Sequence, residues 1–164
     1  MSKNKKIAML GLLTAIAFGL SYLEFLIPFE ALVGIPGVKL GLANLAVMAA
    51  LCLLGVSEAA LVSLTRVLLA WLIFGNFTGF LFSAAGAALS LCVMWLLRKT
   101  RLFGTVGVSV AGGVCHNLAQ LAVASLLTDA AALLYYLPVL LLAGVLTGAL
   151  NGALLSEILK RIKT

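Results

Sequence analysis

Charge is scarce in this chain. Only 10% of its 164 residues are Asp, Glu, Lys or Arg, against about 25% in soluble domains. A soluble fold of this size would have too little polar surface to cover itself, so the solvent must be lipid. Acidic residues are scarcest, five in all, and Asp129 is the sole aspartate. Paired-aspartate chemistry on a diphosphate, which needs several carboxylates to hold magnesium, is therefore excluded. There is no G-x-x-x-x-G-K-[ST] loop for a nucleotide and no Ser-His-acid or Cys-His set. The chain is not expected to be an enzyme, and it calls for no cofactor, resident metal or nucleic acid. Cys52, Cys92 and Cys115 fall inside apolar runs without C-x-x-C spacing, which supports neither disulfides nor a metal site.

Apolar residues make up 64% of the chain. A helix crossing the hydrocarbon core needs roughly 20 of them in succession. The sequence divides into six such stretches, predicted as helices over 7–27, 39–54, 57–74, 78–97, 104–127 and 132–158. The expected fold is an all-α integral membrane protein, one domain over 1–164 with six transmembrane helices. Pro28, Gly34, Pro36 and Gly37 interrupt the chain between the first two spans, and Ser57 is the expected N-cap of the third. Lys3, Lys5 and Lys6 followed by Ala15-Ile16-Ala17 resemble a secretory signal, but the apolar run continues to Ile27, so an uncleaved first span is expected. With the N-terminus inside, Lys3, Lys5, Lys6, Arg98, Lys99, Arg101, Lys160, Arg161 and Lys163 all lie inside and Lys39 alone outside. This bias places both termini in the cytoplasm and agrees with an even number of spans. Gly11, Ala15 and Gly19 form a small-residue stripe on the first helix, and Gly144, Gly148, Gly152 and Ser156 one on the sixth. Such stripes allow close helix packing in lipid, within the bundle or against a separate membrane partner.

The polar residues inside the spans need a reason. Arg66 lies mid-way along the third helix, where an unpaired charge is expensive. It must face the bundle interior. No acidic residue shares its depth; Glu24 sits nearer the outer surface. Two readings stay open, an Arg66–Glu24 ion pair and an anion-recognising arginine at the floor of an outward-facing pocket. His116, Asn117 and Gln120 form a second cluster on the fifth helix, with His116 and Gln120 on one face; Asn44 is placed to join either network, and Asn151 reads as packing. Tyr22, Phe25, Phe29, Trp71, Phe74, Phe77, Phe80, Phe82, Tyr135 and Tyr136 crowd the outer half, either as a heavy interfacial belt or as the lining of a pocket mouth. The candidate substrate-binding residues are Arg66, His116, Asn117, Gln120, Asn44, Tyr135 and Asn76.

The run Lys39-Leu-Gly-Leu-Ala-Asn-Leu45, Arg66, Phe82-Ser-Ala-Ala-Gly86 with Ser90, and Gly112-Gly113 before His116, Asn117 and Gln120 together resemble the Gx transporter family, also labelled heptaprenyl diphosphate synthase component I. The resemblance covers essentially the whole chain. That family is in turn similar to the S components of energy-coupling factor (ECF) transporters, six-helix proteins that capture vitamin-like molecules on the outer face and pair with a coupling subunit and two ATPases. The resemblance implies that Pro28 to Val38 is a lid, and that Gly11, Ala15 and Gly19 dock the coupling subunit. It also implies a bacterial-type cytoplasmic membrane and a flavin- or quinone-related ligand. The competing expectation is a non-catalytic membrane accessory or scaffold of a flavin/quinone electron-transfer or prenyl diphosphate synthase system.

Overall fold

The computed structural model describes residues 2–27, 41–128 and 131–163. The expected lid Pro28 to Val38, Lys39 and Asp129 lie outside them. The described residues form six α-helices: α1 Lys3–Leu26, α2 Asn44–Leu53, α3 Val56–Phe74, α4 Phe77–Thr100, α5 Thr105–Thr128 and α6 Leu137–Lys163, with a 3-10 turn Ala131–Tyr136 before α6. All but α2 are long and apolar enough to cross a membrane. Large apolar side chains such as Leu12, Leu64, Leu72, Leu126 and Leu146 point outward, as lipid contact requires.

Successive helices run in opposite directions. Lys6 on α1 bridges Glu58 on α3 at 2.5 Å, Arg98 on α4 bonds Cys52 on α2, and Gly152 on α6 packs on Val106 of α5. The starts of α1, α3 and α5 and the finishes of α2, α4 and α6 therefore share one end. It carries most of the basic residues and is called the basic end below.

The second helix departs from expectation. It was predicted over 39–54, but residues 41–43 form a turn and helix starts at Asn44. Ten residues at 1.5 Å each give about 15 Å, half of a ~30 Å hydrocarbon core. Gly41 sits at φ +79°, a left-handed conformation that glycine adopts without steric cost. The next N–H, of Leu42, donates to Glu24 Oε1 at 2.7 Å, a bond made to another helix. Six successive residues of α2, Ala46 to Leu51, are buried, because the helix is packed by α1, α3, α4, α5 and α6 together. It forms the centre of the core with Leu13, Ala17, Val62, Met94 and Leu155.

Two more boundaries are corrected. The sixth helix begins at Leu137, five residues later than predicted, because Pro138 has no N–H and its ring is tolerated only in a first turn. The start of α3 is capped by Gly55, with no side-chain cap bond, so Ser57 lies within the helix. α1 begins at Lys3, where Ser2 Oγ accepts from Lys5 N at 3.4 Å.

The α5–α6 pair is the tightest in the bundle. A Cβ on Gly148 would lie 2.6 Å from Val110 Cα, and one on Gly144 would lie 2.9 Å from Gly113 O. The glycine stripe of α6 thus serves backbone-to-backbone packing inside the bundle. The α1 stripe differs: Gly11, Ala15 and Gly19 are exposed, and a Cβ on Gly11 or Gly19 would meet nothing within 4 Å.

Candidate functional site

The turn that starts α2 is the hinge of the polar interior. Glu24 holds it from α1 through Leu42 N, and Asn151 Nδ2 on α6 donates to Gly41 O at 3.2 Å. A Cβ on Gly41 would come within 3.1 Å of Asn44 Nδ2 and 3.5 Å of the His116 ring. Glu24, Asn44, His116 and Asn151 thus converge on a single glycine turn. Irregular backbone at membrane depth is tolerated only where protein or a cavity satisfies it, and here Glu24 and Asn151 satisfy it from two other helices.

Arg66 is only 3% exposed. It lies ten residues into α3, roughly 15 Å along the helix from its start. Its Nε and Nη2 have no hydrogen-bond partner among the described residues. No ion pair joins Arg66 to Glu24 among those residues, although the carboxylate acts on the guanidinium through space. The guanidinium is therefore held in the interior with donor capacity to spare.

His116, Asn117 and Gln120 are each 1% exposed, but they do not form one cluster. The Gln120 amide nitrogen donates to His116 Nε2 at 3.1 Å. The imidazole rests against Gly86 of α4, where a Cβ would lie 2.7 Å from the ring. Asn117 points elsewhere and donates to Leu140 O of α6 at 2.8 Å, tying α5 to α6. Serines are also buried within the bundle: Ser63 on α3, Ser83 and Ser90 on α4, and Ser109 on α5.

Two candidates stand apart. Asn76 is exposed and caps α4, its Oδ1 accepting from Gly79 N at 2.6 Å. Tyr135 is 87% exposed. The outer aromatic residues stack on one another: Phe74 on α3 meets Phe18, Tyr22 and Phe25 of α1, and Trp71 meets Phe80 of α4 with ring centroids 5.0 Å apart. Tyr22, Phe25 and Phe77 face outward, as in an interfacial belt. Between α3 and α4 a groove of about 480 Å³ is lined by Ala60, Leu64, Val67, Phe80, Ala84 and Leu91 among others, and is almost wholly apolar.

Sequence reasoning missed two contributors. Asn151 reads as packing, yet it secures the Gly41 turn. Glu24 reads only as one candidate counter-charge for Arg66, yet it also accepts from Leu42 N. Among the described residues no three of His, Cys, Asp and Glu gather as metal ligands. The site as built offers hydrogen-bond donors and a positive charge inside a helical bundle, an arrangement that suits recognition of an anionic or carbonyl-bearing molecule.

The family model for heptaprenyl diphosphate synthase component I matches residues 13–158, and the chain belongs to that family. No curated protein and no solved structure matches the chain significantly.

Proposed function

We propose that this multi-pass membrane protein is the substrate-binding subunit of an ECF-type importer. In this role it captures a small vitamin-like, flavin- or quinone-related molecule from the outer face and hands it to a coupling subunit and ATPases in trans. The observation that carries the reading is Arg66, buried mid-span with Nε and Nη2 unpartnered among the described residues. Charged groups inside membrane helices are costly and generally face a substrate path or a partner charge. Arg66 is taken as the anchor for an anionic group of the ligand, with Asn44 on α2 and His116 and Gln120 on α5 taken as further contacts. The chain itself catalyses nothing, and it works in a bacterial-type cytoplasmic membrane.

One observation favours a second reading, a membrane accessory or scaffold for an electron-transfer or prenyl diphosphate synthase system. His116, Asn117 and Gln120 are almost fully enclosed by the chain's own atoms, as expected if the bundle fills itself. Mass spectrometry of small molecules retained by the detergent-purified protein separates the two. The importer reading expects a stoichiometric anionic ligand, bound more than tenfold more weakly by Arg66→Gln, since losing a buried charged partner costs about 2–5 kcal/mol. An Arg66→Gln protein that folds and keeps full affinity by titration calorimetry removes Arg66 from the site, and purified protein that retains no small molecule leaves the scaffold reading.

A further inference from the structure

A second feature lies at the opposite, basic end of the bundle. A cleft of about 500 Å³ opens there between the finish of α2, the start of α3 and the finish of α4, lined by Leu51, Gly55, Val56, Trp95, Arg98, Lys99 and Arg101. That volume falls within the roughly 300–1,000 Å³ of small-molecule sites. Three of the seven lining residues are cations and none is acidic. Glu58 borders the cleft beside Gly55, its charge paired with Lys6, and Glu157 pairs with Lys160 and Arg161.

The cations are arranged and not merely clustered. Arg98 is clamped to the finish of α2, its Nη1 donating to Cys52 Sγ and its Nη2 to Cys52 O at 3.1 Å. Lys99 Nζ stands over the Trp95 ring, 5.5 Å from its centroid. Arg101 takes the left-handed conformation, φ 60°, and its N–H returns to Arg98 O at 3.2 Å, so the chain turns back at the mouth of the cleft. Gly55 and Val56 open α3, whose first turn carries Glu58, with its carboxylate beside Gly55 and paired to Lys6. Leu51, Val56 and Trp95 supply an apolar wall, and tryptophan sits characteristically at headgroup level.

We propose that this cleft binds a phosphate group at the membrane surface, carried by an anionic phospholipid or free as a diphosphate. Guanidinium and ammonium groups suit phosphate oxygens, and basic pockets between transmembrane helices hold lipid headgroups. A bias of basic residues toward one end explains charge there, but it does not explain why three cations and an aromatic ring share a cleft.

Trp95 is one of two tryptophans, so Trp71→Phe makes its fluorescence a reporter. The protein is placed in phosphatidylcholine nanodiscs, and either phosphatidylglycerol is added to the bilayer or pyrophosphate to the buffer. A saturable change in Trp95 emission is expected in at least one arm, and the responding arm identifies the source. At about fivefold per cation, Arg98→Gln/Lys99→Gln/Arg101→Gln should weaken the response roughly a hundredfold. Lys99→Gln/Arg101→Gln, which keeps the Arg98–Cys52 clamp, should weaken it roughly 25-fold. The control Lys160→Gln/Arg161→Gln/Lys163→Gln removes equal charge at the same end and should leave it unchanged. No response in either arm, or equal weakening by the control, overturns the proposal.

Discussion

Arg66→Met tests whether the buried charge is there for stability or for binding. Methionine is unbranched and fills similar space, while the variant removes a guanidinium that is 3% exposed and lacks partners at Nε and Nη2 among the described residues. Desolvating such an ion costs several kcal/mol even after relaxation. The compensation available is Coulombic attraction from Glu24, which makes no ion pair with it among the described residues. Beyond 4 Å, at an effective dielectric constant of 20, that attraction is worth less than about 4 kcal/mol. Replacing buried charges by well-packed apolar groups is often stabilising by about 1–4 kcal/mol, so the ligand-free variant should gain at least ~1 kcal/mol. For a chain of this length each kcal/mol moves Tm by about 2–4 °C. Thermal unfolding in detergent, followed by intrinsic fluorescence on ligand-stripped protein, should therefore show Arg66→Met melting at least ~2 °C above the parent, while mass spectrometry finds it empty of ligand. A melting point several degrees lower would refute the reasoning, since breaking a structural buried pair costs about 3–5 kcal/mol. In that case Glu24→Gln/Arg66→Met should recover stability relative to Arg66→Met, a coupling that a double-mutant cycle reads directly.

Three further outcomes are expected. Gly148→Ala drives a Cβ to 2.6 Å from the Val110 backbone and should lose stability near the upper end of the ~1–3 kcal/mol overpacking range; Gly19→Ala, with nothing within 4 Å of its Cβ, should be neutral or gain up to about 1 kcal/mol from helix propensity, and matched melting curves compare the two. Ala15→Trp, on the exposed α1 stripe, should leave melting unchanged and abolish co-purification with a membrane coupling subunit; normal recovery of that partner would remove the docking role. Cysteines introduced at Ser2 and Thr164 should both react with an impermeant thiol reagent only after the cytoplasmic side is opened, and labelling of either terminus from outside would overturn the even-span topology.

The long spans were legible because unbroken apolar runs of helical length have few other uses in a chain this poor in charge. The second helix was not. Its residues are apolar at nearly every position, and a short helix buried on all sides reads the same as one facing lipid. Its start is set by a bond from Leu42 to Glu24, 18 residues earlier, and by Asn151, 110 residues after Gly41; no local pattern carries such information. Pro138 was a local signal for the delayed start of α6. The division of His116 and Gln120 from Asn117 was also readable in principle, since residues four apart share a face and adjacent ones do not. That Arg66 points inward followed from the cost of the alternative. What surrounds it did not follow, because its neighbours come from other helices.

The half-length α2 and the buried arginine bear on one another through Glu24. That carboxylate accepts from the Leu42 N–H at the turn into α2 and acts electrostatically on Arg66. The start of a helix carries roughly half a positive charge, and at Asn44 no side chain caps it. Among the described residues these two positive features thus face the same carboxylate, which accepts from Leu42 N. Half-helices that begin inside membrane proteins use their N-terminal ends to meet anionic groups. A ligand anion reaching Arg66 would supply a second negative charge beside these two features. On that account Arg66 and the α2 start act as a unit: Gly41→Ala, which strains a φ of +79° and displaces the turn, should weaken ligand binding even though Gly41 contributes no side chain to it.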